Sequence, residues 1–168
     1  MTPKQFSENF GESMATLIIL TIISAGIYPI KWLAERYKEW NELAGKKIYN
    51  NQLFIAVIIC QGLSIIFPSI GNLFFVDTVT PGTSTISIAN TFFIFGKLSI
   101  RIGGVLMIII AWKIGKWFES YCEKEFKLNI KVNKILLILF NIFYLNYLFL
   151  KLPILANMKT QNQKLTEE

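Results

Sequence analysis

The chain has no histidine and only two cysteines, and between Glu42 and Glu119 its only carboxylate is Asp77. Without histidine, and with Cys60 and Cys122 distant in sequence, the usual ligands of a structural zinc or a haem are missing, so no metal and no other cofactor is expected. Two cysteines cannot build a disulfide framework, and both are expected to stay reduced. The same scarcity argues against catalysis. A serine nucleophile needs a base beside it, no nucleophile elbow or phosphate-cradling glycine loop occurs, and the carboxylates cluster among bases, where a solvated, salt-laced helix face accounts for them. The expectation is a protein that is not an enzyme.

Charge is also scarce, at 17% of residues against about 25% in soluble domains, while hydrophobic residues make up 53%. The arrangement matters more than the average. Apolar residues fall into four stretches, about 14–33, 53–75, 88–112 and 135–155, and a membrane-crossing helix needs roughly 20 such residues. The expected fold is therefore all-α: an integral membrane four-helix bundle forming a single domain over residues 1–168, with two amphipathic cytoplasmic interfacial helices at about 31–44 and 115–127. In the first of these, Leu33, Tyr37, Trp40 and Ala44 form one stripe that Gly45 ends, with Arg36, Lys38, Glu39 and Glu42 on the other face. Tyr28, Trp32, Tyr37 and Trp40, and later Trp112, Trp117 and Tyr121, are expected to anchor at headgroup level. Pro29 is expected to kink the chain between the first span and its surface helix. A cleaved signal peptide, with Ala25 before the cut, is disfavoured because the leader sets Lys4 against Glu8 and Glu12.

A net charge of +6, from 17 Lys and Arg against 11 Asp and Glu, would suit nucleic acid if it were spread along the chain. Instead the bases crowd into 31–47 and 113–134, beside the ends of apolar stretches, so no nucleic-acid partner is expected. The positive-inside bias makes about 34–51 and 113–134 cytoplasmic loops of a multi-pass protein, with both termini outside. The segment from Val76 to Ser87, with Asp77, Pro81 and Gly82 among Thr and Ser, has no base and reads as an outer turn. The order of span, surface helix and span occurs twice, as a parallel repeat would.

Residues 26–33, GIYPIKWL, are followed by the basic aromatic stretch AERYKEWNELAG, and Asn141 to Leu152 read NIFYLNYLFLKL. These segments resemble the uncharacterised DUF4234 family, whose members have a similar Gly-x-Tyr-x-x-x-Trp turn at the end of a first span, then a charged helix. The resemblance implies a protein of a bacterial inner membrane and no catalytic residue to carry over.

Within the spans the informative positions are polar. Arg101 lies eleven residues before Trp112, about 16 Å along a helix, near mid-membrane, where a charge costs about 2.5 to 3.5 kcal/mol on insertion scales. Lys97 lies one turn nearer the outside, and Asp77 is the candidate counter-charge. Either Lys97 and Arg101 form an anion or partner site, or a tilted span lets both reach outer headgroups. Asn141 and Asn146 join them as polar candidates for contacts between helices, and Ser99 with Gly103 forms a small-xxx-small pair, its groove widened by Gly104.

Three functions remain open. The first is a non-enzymatic membrane protein acting by helix–helix binding to another membrane component, as an assembly subunit or an immunity-type protein, with lipids and a membrane protein or a second copy as partners. The second is an oligomeric channel or anion-selective transporter using Arg101 and Lys97. The third is a lipid-interacting protein whose Lys46, Lys47, Lys113 and Lys116 rim attracts anionic headgroups.

Overall fold

The computed structural model describes residues 1–24, 26–76 and 83–167, with side chains described as far as residue 161 except at 74–76 and 83–87. The expected counter-charge Asp77, the turn residues Pro81 and Gly82, and the candidate cleavage position Ala25 lie outside the described residues. The protein is all-helical: α1 (Pro3–Phe10), α2 (Met14–Ile23), α3 (Tyr28–Ala44), α4 (Asn51–Val76), α5 (Thr83–Phe126) and α6 (Lys134–Glu167). Three of them, over Asn51–Leu73, Ile88–Phe126 and Lys134–Gln161, are long and apolar enough to cross a membrane. The chain divides into two compact units, the first made of Met1–Tyr49 with Ala111–Glu168 and the second of Asn50–Ile110.

In the first unit, α1 forms in a stretch that reads as a polar leader. Its start is fixed locally: Thr2 and Gln5 make a reciprocal capping box, and Pro3 occupies the first turn, where a missing N–H costs nothing. Phe6 and Phe10, one turn apart, put both rings on one face, and both are buried. Burial of a Phe side chain contributes about 1.5–3 kcal/mol.

The first expected span does not form one crossing helix. Helix α2 has 10 residues, about 15 Å, roughly half a hydrocarbon core of about 30 Å. It stops at Ser24, and Gly26 takes a φ of 86°, a backbone state that glycine adopts without a Cβ clash. Pro29 accordingly sits in the first turn of α3 and opens that helix, so it does not kink a continuous one. Helix α3 ends where expected, at Gly45 with φ 62° and its N–H bonded to the carbonyl of Glu42. Its stripe is turned inward, however: Trp32, Leu33 and Trp40 are 0% exposed, where the anchoring tryptophans were expected at headgroup level. The reason is the aromatic supply of the neighbouring helices. Trp40 lies 6.1 Å from Phe10, 6.2 Å from Trp117 and 5.8 Å from Phe149, ring centre to ring centre.

The surface helix expected at 115–127 is the unbroken end of α5, which runs for 44 residues, about 66 Å. Gly115 does not interrupt it, because it is buried where Val132 and Leu145 pass close to its backbone. The helix closes at Lys127, which has a positive φ of 52°, as the Leu128 N–H reaches back to the carbonyl of Cys122. Asn133 then caps α6 by accepting from the N–H groups of Ile135 and Leu136. The expected span 135–155 lies within α6 but is broken at Asn141, with φ 46° and ψ −118°. Beyond the break, the Phe149 ring lies 4.9 Å from Phe118 and edge-on 5.5 Å from Phe6, and joins the same core.

The second unit is an antiparallel helix pair, α4 with the first part of α5. Its seam is lined by small residues. A Cβ on Gly96 would lie 2.7 Å from the ring of Pro68, and one on Gly103 would lie 3.2 Å from the Cβ of Cys60; Ser99 between them is buried. Phe67 fills the remaining gap, 6.2 Å from Phe92 and 5.9 Å from Phe95. Gly104 has nothing within 4 Å of its Cβ position, so it opens outward and does not widen this groove.

Candidate functional site

Lys46 and Lys47 follow the left-handed cap at Gly45, which turns the chain off the end of α3. On α5, positions 113, 116, 117, 120, 121 and 124 fall at helical spacing on one face. The structure brings these two segments, distant in sequence, around one cavity of about 580 Å³ lined by Lys46, Lys47, Lys113, Lys116 and Lys124 together with Trp117 and Tyr121. Glu125 is the one carboxylate among the lining residues, and it lies 4.0 Å from Lys124. Lys46, Lys47 and Lys113 have no ion pair among the described residues. Lys116 stands 4.1 Å over the ring of Trp112, which is itself exposed.

One wall of the cavity is rigid. Trp117 and Tyr121 stack 5.3 Å apart, and Phe6 lies 5.5 Å from Tyr121. Burial pushes the Tyr121 hydroxyl up from its ordinary pKa of 10.0, with Glu125 next in effect, so it remains a donor at neutral pH. At the next residue, burial raises the Cys122 thiol to about 12, leaving it protonated and unreactive at neutral pH. The arrangement therefore offers ammonium groups and a hydroxyl around an aromatic floor, which suits an anion. A second cavity of the same unit, about 610 Å³, has Lys127, Lys131, Lys151 and Lys159 among its lining residues. Lys151 there stands 4.7 Å over the ring of Tyr147, and Lys159 donates to the carbonyl of Lys127.

A polar cluster holds the same unit together from within. Tyr28 donates to Glu12 Oε1 at 2.7 Å, Arg36 Nη2 lies 3.9 Å from Glu12 Oε2, and Arg36 Nε donates to the carbonyl of Phe10 at 3.1 Å. The guanidinium lies 4.7 Å over the Trp32 ring. Only 16% of the Arg36 side chain and 19% of Glu12 are exposed, and burial lowers the Arg36 pKa while Glu12 works against that shift. Asn146, 0% exposed, accepts from the Glu12 N–H at 2.8 Å and donates to the Glu12 carbonyl at 2.6 Å, fastening α6 to the turn between α1 and α2. In this chain the Gly26-x-Tyr28-x-x-x-Trp32 pattern is thus structural: the glycine makes the turn, the tyrosine meets Glu12, and the tryptophan floors Arg36.

The remaining polar candidates do not join these sites. Lys97 and Arg101 belong to the second unit, one helical turn apart on its exposed face, with no ion pair among the described residues. Asn141 marks the break in α6, and its buried Oδ1 accepts no hydrogen bond among the described residues. Tyr37 donates to the carbonyl of Tyr49 at 3.0 Å, tying α3 to the chain that follows it. Sequence reasoning passed over Glu12, Arg36, Phe6 and Lys124. Arg36, expected on the charged face of α3, is instead turned over Trp32 on the buried side, and Glu12, read as one of two leader carboxylates, lies against it.

Residues 12–120 match the family model described as Domain of unknown function (DUF4234), which covers well over half of the chain, so the chain belongs to that family. No curated protein and no solved structure matches it.

Proposed function

For this DUF4234 protein we propose a non-enzymatic role in which it sits in a membrane and binds the phosphate headgroup of an anionic lipid in the lysine cavity of its first unit. Helix α4 and the apolar length of α5 cross the bilayer, and the positive-inside bias puts the lysine-rich unit on the cytoplasmic side. The observation that carries the reading is the meeting of Lys46 and Lys47 with Lys113 and Lys116 around one cavity beside Trp112 and Trp117, residues that suit headgroup depth. A lysine near an anionic membrane surface contributes about 1 kcal/mol, so a rim of four favours an anionic over a zwitterionic headgroup.

Native mass spectrometry of the protein, purified in mild detergent and given equal phosphatidylglycerol and phosphatidylethanolamine, tests this. Retention of phosphatidylglycerol is expected, falling at least about tenfold when Lys46, Lys47, Lys113 and Lys116 are all replaced by Gln. Replacing Lys131 and Lys151 by Gln, in the second cavity, should leave most of it. Equal retention of both lipids, or indifference to the fourfold change, would sink the reading.

A second reading rests on Lys97 and Arg101, two cations on the exposed face of an apolar helix, which is the pattern of an oligomer lining an anion path. Planar-bilayer conductance decides it: an anion-selective current that Lys97→Leu with Arg101→Leu abolishes supports it, and a silent protein removes it.

A further inference from the structure

We infer that the first unit stays wholly on the lysine-rich side of the membrane, both chain termini included, and meets the hydrocarbon only through two short apolar segments, α2 with its turn and residues 135–140. The case starts from charge. The stretch from Lys113 to Lys134 is dense in Lys and Glu, and hydrocarbon does not accommodate it. Helix α6 beyond Asn141 runs beside that stretch in the same direction. Leu145 lies against Gly115, Phe149 stacks on Phe118 at 4.9 Å, and Lys159 bonds to the carbonyl of Lys127. Residues 145–159 therefore share the depth of 115–127, and α6, apolar as it is, does not cross.

What remains for lipid in α6 is its opening, about seven residues or roughly 10 Å, far short of about 30 Å. There Ile135, Leu136, Ile138, Leu139 and Phe140 are exposed while Leu137 is buried. The bend is sharp enough for the Tyr144 hydroxyl to accept from the Asn133 N–H at 3.1 Å, a pair too far apart to meet along a straight helix.

The N-terminal half repeats this design. Helix α2 leaves the polar cluster beside Asn146, presents Ile18, Ile19, Ile22 and Ile23 to the outside, with Ile22 74% and Ile23 75% exposed, and turns back at Gly26. Tyr28 then returns the chain to Glu12. Helix α1 is packed on the charged end of α5, with Phe6 5.7 Å from Phe118 and 5.5 Å from Tyr121, which keeps residue 1 on that side as well. The exposed isoleucines need an apolar cover, α2 packs on α6, and the bilayer is an apolar phase that covers both short segments. This placement differs from the expectation of both termini outside, and it has α6, long enough to cross, meet lipid only through its opening residues.

Single cysteines at Thr2, Lys131 and Gln161, in full-length protein with Cys60→Ala and Cys122→Ala, report the side of each position through a membrane-impermeant maleimide applied to right-side-out and inverted vesicles. All three are expected to label from the same side, with at least about a tenfold preference. Labelling of position 161 from the side opposite to 131 would show that α6 crosses, and of position 2 from the opposite side that 14–33 crosses; either overturns the inference. C-terminal fusions to reporters active on one side only repeat the measurement with both native cysteines in place. A fluorophore at Ile22 or Leu139 is expected to be quenched by doxyl groups near the headgroup end of lipid chains more than by doxyl groups at the chain terminus. Absence of quenching removes the two inserted segments.

Discussion

Tyr28 donates a hydrogen bond from its hydroxyl to Glu12 Oε1 across the α2 turn, at 2.7 Å, while Arg36 stands 3.9 Å from the other carboxylate oxygen. One carboxylate therefore ties together the start of α2, the start of α3 and, through Asn146 on its own backbone, α6. Removing it by Glu12→Ala leaves the Arg36 guanidinium, 16% exposed, without its acidic partner, at a cost of about 1–3 kcal/mol. Thermal unfolding in detergent should show a fall of several degrees. Tyr28→Phe alone should cost less, and the Glu12→Ala, Tyr28→Phe double variant should fall short of the sum, by a coupling of about 0.5 kcal/mol or more. Strict additivity would mean that the 2.7 Å contact contributes nothing.

The hub of the first unit is Phe6, within 6.4 Å of the rings of Phe10, Trp117, Phe118, Tyr121, Phe126 and Phe149. Phe6→Ala opens a cavity that helices on several sides cannot all close, and costs about 3–5 kcal/mol. Limited proteolysis should then cut within the first dozen residues, which are protected in the parent protein. Phe6→Leu, which keeps most of the volume, should restore much of that protection.

The helices and the apolar stretches were legible in the sequence because composition and period carry them: 53–75 lies inside α4, and 88–112 inside α5. Whether an apolar stretch crosses depends on its unbroken length, and the breaks at Gly26 and Asn141 are single-residue events in runs that otherwise look continuous. The inward turn of Trp32 and Trp40 was hidden for another reason. An amphipathic stripe shows which face seeks an apolar surface, and the same stripe serves a lipid interface or a protein core. The partner rings on α1, α5 and α6 decide it, and those of α1 come from a leader with low apolar content. The lysine rim fared better, since Lys46, Lys47, Lys113 and Lys116 stood out by charge alone, whereas Lys124 joined them through the unbroken course of α5.

Cys122 gives a pH prediction with a definite sign. Its thiol is raised from 9.0 to about 12 by burial, so in the pH range between these values the folded protein holds a proton that the unfolded chain has released. The contribution of this group to stability is intact below about pH 9 and is lost as pH rises toward 12. Between pH 8 and pH 10.5 the parent protein should lose more stability than Cys122→Ala does. Cys122 should also resist alkylation at pH 8 until denaturant is added.

The seam of the second unit can be read directly by cross-linking. A Cβ at Gly103 would lie 3.2 Å from the Cβ of Cys60, about half an ångström inside the separation of about 3.8 Å that a disulfide prefers, whereas Gly104 has nothing within 4 Å. Gly103→Cys should therefore link to the native Cys60 under mild oxidation, and Gly104→Cys should not. Cleavage at a protease site inserted after Pro81 separates α4 from α5, so linked and unlinked chains differ on a non-reducing gel. Equal linkage in the two variants would mean that α4 meets another face of α5. In that case the outward placement of Lys97 and Arg101, on which the anion-path reading depends, falls with it.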